Sequence, residues 1–192
     1  PPTKLLAAAL LLAACGGRDA TPLATPDVVL HPAHLFPATG SPGRELAFGP
    51  GDSLLATSGA DGTVRLWRVA NDSLVRTIHV PGGATSVVFT PDGRRVVTAG
   101  YDGEIRVWRF ADGSLERAWA AHGGTVWTIE VSPDGGRIAS GGEDRMVKLW
   151  RLADGALLDT LGGHTRNVWR VRFSPDGHWL ASGSFDRTLR MW

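Results

Sequence analysis

Two groups of side chains have the composition of a serine-hydrolase triad. In that chemistry a serine is the nucleophile, a histidine removes its proton, and an aspartate orients the histidine. The reaction needs one exposed serine beside an oxyanion hole. Here the group occurs twice at one spacing, and a tryptophan follows each aspartate by six residues, which favours a structural role over catalysis. The two groups are His122, Ser140, Asp144 and Trp150, and His164, Ser182, Asp186 and Trp192.

The tryptophans that close these groups belong to a longer series. Four tryptophans lie 41, 42 and 42 residues apart, each with an aspartate six residues before it and a threonine or serine ten residues before it. Self-similarity at such a period indicates a repeat architecture, in which each unit buries its apolar face against a neighbour. The first two copies lack the histidine and consist of Thr57, Asp61 and Trp67, and Thr98, Asp102 and Trp108.

Each repeat has the pattern of short antiparallel strands joined by tight turns. In the last copy, the second half of residues 168–173 and residues 189–192 alternate apolar and polar side chains, and residues 174–177 (Ser-Pro-Asp-Gly) predict a turn between strands. Proline fixes φ and glycine supplies positive φ, which explains why Pro-Asp-Gly recurs. Since no helical stripe of useful length occurs, the sequence predicts an all-β fold of four-stranded units of about 42 residues.

The period, the strand count and the Gly163-His164 start of the last unit resemble the WD-repeat β-propellers. The resemblance covers residues 35–192 and implies four antiparallel blades, the last without its outer strand, within a larger closed propeller. We also expect the chain to be an N-terminal fragment of a longer protein. The approximate blade ranges are 35–78, 79–119, 120–161 and 162–192.

The chain departs from the family pattern at two kinds of position. The usual Trp-Asp ending is Trp-Arg at Arg68, Arg109 and Arg151. The histidine position holds Thr39 in blade one and Val80 in blade two, which predicts weaker local bracing in those blades. In the other two blades the resemblance implies that each tetrad is a buried hydrogen-bond chain rather than a catalytic site.

The resemblance also implies a binding surface on the top face of the propeller. In the family, partners commonly contact residues at fixed positions near the first strand, and the residue before the turn aspartate. Aromatic and arginine side chains dominate interface hot spots, and several of the matching positions here are of those types. The predicted partner-binding residues are Trp127, Trp169, Tyr101, Phe185, Glu143, Asn167 and Arg44.

Composition argues against several other kinds of site. Three histidines outside the tetrads could suggest a metal site, but His31, His34 and His79 lack a cysteine or carboxylate at ligand spacing, so we expect no metal site. The glycines follow the turns rather than forming a phosphate loop, and no cofactor is expected. With a net charge of +1 and basic residues spread through the repeats, we expect no binding to nucleic acid.

The first 15 residues have the pattern of a secretory signal. A lysine precedes ten apolar residues, a run too short to span a membrane. Residues 12–15 (Leu-Ala-Ala-Cys) resemble the bacterial lipoprotein cleavage box, which implies lipidation of Cys15 and an anchor in the cell envelope, periplasmic or on the outer surface. Secretion is the second choice. Residues 16–34 are rich in Pro, Gly and Ala and predict a tether.

Three functional hypotheses follow, because a fold alone does not decide function. The first is a non-enzymatic, extracytoplasmic scaffold that binds an unknown protein or peptide through its top face. The alternative is a sensor or docking propeller attached to a catalytic domain beyond Trp192. The third is a purely structural surface protein.

Overall fold

The structure is a computed structural model that describes residues 43–192. These residues form four antiparallel sheets arranged as the blades of a β-propeller, which confirms the predicted all-β architecture. Blade 1 comprises β1 (Gly43–Phe48), β2 (Leu54–Gly59), β3 (Thr63–Arg68) and β4 (Ser73–His79), with a 3₁₀ turn at Pro50–Asp52. Blade 2 comprises β5 (Ala84–Phe89), β6 (Arg95–Gly100), β7 (Glu104–Arg109) and β8 (Leu115–Ala120).

The other two blades repeat this plan. Within each sheet the strands are hydrogen-bonded in the order of the sequence. In the part of the chain that the structure describes, the last blade has three strands. Blade 3 comprises β9 (Val126–Val131), β10 (Arg137–Gly142), β11 (Val147–Arg151) and β12 (Leu157–Leu161), and blade 4 comprises β13 (Val168–Phe173), β14 (Leu180–Ser184) and β15 (Leu189–Met191).

Neighbouring blades pack through the same repeat positions at every interface. We count positions back from the tryptophan that closes each repeat. One blade contributes positions 20, 11, 3 and 1, and the next blade contributes positions 21, 19, 12 and the tryptophan itself. Apolar side chains hold all eight positions between blades 2 and 3: Val88, Val97, Ile105 and Val107 on one side, and Ile129, Val131, Ile138 and Trp150 on the other.

The interface between blades 3 and 4 differs at one position. Glu130 holds position 20, where the earlier blades have Ala47 and Val88. Its carboxylate accepts hydrogen bonds from Arg172 Nη1 at 2.8 Å and from the backbone N–H of Phe173 at 2.6 Å. A polar bridge therefore replaces an apolar contact at this position.

Two blade faces remain uncovered within residues 43–192. Leu189 holds position 3 of blade 4 and is 87% exposed, whereas its equivalent Ile105 is 0% exposed. Leu46 holds position 21 of blade 1 and is 63% exposed, whereas its equivalent Ile129 is 1% exposed. The same residue types are thus core or surface according to whether a neighbouring blade packs on them.

Candidate binding site at the propeller axis

A β-bulge interrupts the pairing of the first two strands in every blade. In blade 1, Gly43 pairs with Gly59 and Glu45 with Ser58, which leaves Arg44 as the extra residue. The other bulges occur at the same repeat position, because the register shifts across one residue near the start of each first strand. Bulges bend a strand and re-aim its side chains, and they are common beside functional sites. The four extra residues are Arg44, Thr85, Trp127 and Trp169.

These four residues line one cavity of about 410 Å³, at the end of the propeller where the first strands begin. We call it the axial cavity. Its wall combines flat aromatic rings with charged groups. Pockets of this size suit a small ligand or a few side chains of a partner rather than a folded surface. The remaining lining residues are Glu45, Tyr101 and Arg170.

The aromatic rings of the axial cavity brace one another. The Tyr101 ring meets Trp127 edge-to-face, with centroids 6.3 Å apart and an interplanar angle of 84°. Trp169, which is 58% exposed, packs against Phe185 at 5.3 Å. The Arg44 guanidinium lies over the Tyr101 ring at 5.7 Å, within cation–π range. This arrangement presents large rigid surfaces that lose little entropy on binding.

Glu45 organises the charged side of the axial cavity. One of its carboxylate oxygens accepts a hydrogen bond from Arg170 Nη1, and the other accepts one from Ser86 Oγ. Ser86 Oγ also accepts a hydrogen bond from the backbone N–H of Ile129 at 3.2 Å. Glu45 therefore connects blades 1, 2 and 4 directly, and blade 3 through Ser86.

The structure brings together most, but not all, of the predicted partner-binding residues. Arg44, Tyr101, Trp127 and Trp169 line the axial cavity, and Phe185 joins them through Trp169. The other two lie in nearby loops and form local hydrogen bonds. The Glu143 carboxylate accepts a hydrogen bond from the Thr125 backbone N–H at 3.1 Å, and the Asn167 backbone carbonyl accepts one from the Phe185 backbone N–H at 3.1 Å.

Glu45 and Arg170 are cavity residues that the sequence analysis did not identify. Both occupy position 22 before the closing tryptophan, where the other two blades carry Ser86 and Thr128. Opposite charges at one repeat position are the signal that could have indicated a contact across the axis.

The triad-like groups form closed hydrogen-bond chains inside blades 3 and 4. In blade 3, Trp150 Nε1 donates to Ser140 Oγ at 2.8 Å, and Ser140 Oγ lies 2.7 Å from His122 Nε2. His122 Nδ1 lies 2.8 Å from Asp144 Oδ1. Blade 4 repeats the chain through Trp192, Ser182, His164 and Asp186, with distances of 2.9, 2.8 and 2.9 Å.

Protonation in blade 3 follows from the donors available. An indole N–H only donates, so the serine oxygen accepts from it and directs its own O–H to His122 Nε2. His122 Nδ1–H then donates to Asp144. Burial lowers the pKa of His122, and this effect outweighs the opposing influence of Asp144. Burial by itself raises the pKa of Asp144, but the hydrogen bonds from His122 and the Met146 backbone N–H, together with the charge of Lys148, bring it below its usual value. The hydrogen-bond chain of blade 3 therefore contains a neutral His122 imidazole and an ionised Asp144 carboxylate.

Ser140 has no access to a substrate. Its side chain is 0% exposed, and its oxygen already accepts the tryptophan N–H. A nucleophilic serine must be exposed beside an oxyanion hole. The group therefore connects the strands of its blade by hydrogen bonds, although its composition resembles that of a catalytic triad.

Blades 1 and 2 keep only the tryptophan–threonine part of this network. Trp67 Nε1 donates to Thr57 Oγ1 at 3.0 Å, and Trp108 Nε1 donates to Thr98 Oγ1 at 2.9 Å. The turn aspartates have no histidine partner but still pair with a basic residue four residues later, as Asp144 does with Lys148 at 3.3 Å in blade 3. The two pairs are Asp61 with Arg65 at 3.0 Å, and Asp102 with Arg106 at 2.5 Å.

Several sequence predictions fall on residues outside the described range. They are the signal at residues 1–15, Cys15, the tether at 16–34, His31 and His34. His79 is described and ends β4 as an exposed residue. Residues 43–192 contain no group of three or more His, Cys, Asp or Glu side chains placed to hold a metal ion. Nor do they form a helix with the length and apolar character that a membrane crossing requires.

Comparison with known families agrees with this geometry. A family model described as "WD domain, G-beta repeat" matches residues 44–68, 72–109, 113–151 and 155–192, more than half of the chain. The last three matches each begin near the outer strand of one blade and end with the third strand of the next. A search of curated proteins found no match. The chain belongs to the WD-repeat family.

Proposed function

We propose that the protein is a non-enzymatic interaction scaffold that binds a protein or peptide at the axial cavity. Propellers of the WD-repeat family typically mediate protein–protein interaction. The observation that carries the proposal is that four bulges direct Arg44, Thr85, Trp127 and Trp169 into one cavity.

The rings on this wall are suited to recognition. Trp169 keeps more than half of its surface exposed although it packs on Phe185. A partner that covered Trp127 and Trp169 would remove a large apolar area from water, and tryptophan is among the residues that contribute most at interfaces. The two rings lie at equivalent positions of adjacent blades, so one partner segment bridges both.

The test is a pair of variants with a matched control. Partners are captured from a cell-envelope extract with the wild-type protein, identified, and then titrated. Trp127→Ala with Trp169→Ala should weaken the affinity by at least about 2 kcal/mol while the unfolding transition is retained. Arg109→Ala is the control, because Arg109 is an exposed side chain at the opposite end of a third strand. Binding of the double variant at wild-type strength would refute the assignment of this surface.

We also propose that the protein acts outside the cytoplasm, anchored through Cys15. The sequence Leu-Ala-Ala-Cys at residues 12–15 and the preceding apolar run support this location. Lipid chains contribute about 0.8 kcal/mol for each buried CH₂, so a multiply acylated cysteine holds a protein firmly on a membrane. Cys15→Ser should abolish labelling by a radioactive fatty acid and release the protein into the soluble fraction. A Ser variant that stays labelled would contradict the anchor.

A further inference from the structure

The charges of the axial cavity are not balanced. Two guanidinium groups, those of Arg44 and Arg170, face a single carboxylate, that of Glu45. Both oxygens of Glu45 already accept hydrogen bonds, from Arg170 and from Ser86. The formal charge of the lining is therefore +1, and its only carboxylate is engaged on both sides.

The Arg44 guanidinium has N–H donors that are not used within the described part of the chain. Among residues 43–192, no carboxylate or carbonyl accepts a hydrogen bond from its guanidinium, which lies over the face of Tyr101. An arginine has five N–H donors, and its planar fork matches the two oxygens of a carboxylate. Arg170 uses Nη1 for Glu45 and is about half exposed, so its remaining N–H groups also face solvent.

The aromatic rings of the axial cavity favour a ligand that has an apolar part beside its charge. Tyr101, Trp127 and Trp169 form flat walls beside the two guanidinium groups. Aromatic faces also attract cations, but a cation entering here would meet two positive charges within a single cavity. An anion attached to a flat or apolar body satisfies both the unpaired donors and the rings.

We infer that the axial cavity binds an acidic segment of a partner protein, with an Asp or Glu side chain on Arg44 and an adjacent aromatic or aliphatic side chain on Trp127 and Trp169. This inference rests on the proposed function and specifies the partner's chemistry. A cavity of about 410 Å³ accommodates two or three side chains of an extended peptide.

The inference is tested with three fluorescent peptides blocked at both ends. Each has a phenylalanine flanked by two identical residues, which are Glu, Gln or Lys. The Glu peptide should bind at least about tenfold more tightly than the Gln peptide, as expected for a charge-assisted hydrogen bond in place of a neutral one. The Lys peptide should bind most weakly. A fourth peptide, with Gln and a free terminal carboxylate, tests whether a chain terminus is the ligand instead.

Variants locate the effect. Arg44→Gln should remove the preference for Glu over Gln, whereas Arg68→Gln should leave it intact because Arg68 is exposed at the opposite end of blade 1. Equal binding of the Glu and Gln peptides, stronger binding of the Lys peptide, or binding of the free-terminus peptide alone would overturn the inference. If those results appear while a captured protein still depends on Trp127 and Trp169, the proposed function stands and only the acidic partner is wrong.

Discussion

Glu45 and Arg170 form an ion pair across the axis of the propeller, although 125 residues separate them in the sequence. The pair joins the first strands of blades 1 and 4, which are the outermost blades of the described chain. Because Glu45 also accepts a hydrogen bond from Ser86, this one carboxylate contacts blade 2 as well as blade 4. It therefore acts as a long-range constraint on how the blades are arranged.

The first prediction concerns the strength of that constraint. A double-mutant cycle with Glu45→Gln and Arg170→Met should give a coupling energy of about 0.5–1 kcal/mol, because Arg170 is about half exposed and water screens the pair. The coupling should fall in high salt. Urea unfolding of the four proteins measures it. The pair Arg109 and Asp112, in which both side chains are about half exposed, is the comparison and should show a weaker coupling, about 0.3 kcal/mol or less. A coupling of zero for Glu45 and Arg170 would mean that the axis is not held by this contact.

The second prediction separates the full tetrad from the partial one. Ser140→Ala leaves both the Trp150 N–H and the His122 Nε2 without a partner inside blade 3, and should lower the free energy of unfolding by about 2–4 kcal/mol. Thr98→Val leaves only the Trp108 N–H unpaired and should cost about 1 kcal/mol. Chemical denaturation gives both values. Equal costs would show that the histidine adds nothing to the stability of its blade.

Much of the fold was predictable because the repeat fixes it locally. Strand alternation and the Pro-Asp-Gly turns depend on neighbouring residues, and the tetrad spacing is set within one repeat. The register that creates each bulge was not predictable, since the extra residue is defined only when β1 pairs with β2. The contact of Glu45 with Arg170 was not predictable either, because it depends on how blades 1 and 4 are placed relative to one another in the folded protein.

Bracing in the first two blades shows a further limit of the sequence pattern. The absence of histidine predicted weaker bracing there. In the structure, Arg106 is almost buried and pairs with Asp102 at 2.5 Å, so the turn aspartate keeps a partner although the histidine is absent. The arginine was visible in the sequence, but alternation alone assigns such a residue to the solvent side of a strand.

The third prediction concerns pH. Burial lowers the pKa of His122 in the folded protein, so between the folded and unfolded values the unfolded chain binds more protons. Stability due to this group is complete above the unfolded value, about 6.5, and falls as the pH drops below it, by at most about 1.4 kcal/mol per pH unit. Asp144 and Asp186 have lowered pKa values, so their contribution is lost at still lower pH.

The measurement for this prediction is the free energy of unfolding of the wild type and of His122→Gln between pH 7.5 and 5. The wild type should lose more stability over this interval than the variant does, because only the wild type carries the buried imidazole at position 122. Parallel curves for the two proteins would show that His122 titrates normally in the folded state.

The fourth prediction compares equivalent positions on covered and uncovered blade faces. Ile105 and Leu189 both hold position 3 of their repeats, but only Ile105 is packed against a following blade. Ile105→Thr should lower the free energy of unfolding by about 2–3 kcal/mol, because it removes buried apolar volume and places a hydroxyl in the core. Leu189→Thr should change it by no more than about 0.5 kcal/mol, as is usual for a surface site. The denaturation midpoints of the two variants measure the difference. If Leu189→Thr proves as costly as Ile105→Thr, another part of the protein covers the blade 4 face in solution, and the exposed state of Leu189 is wrong.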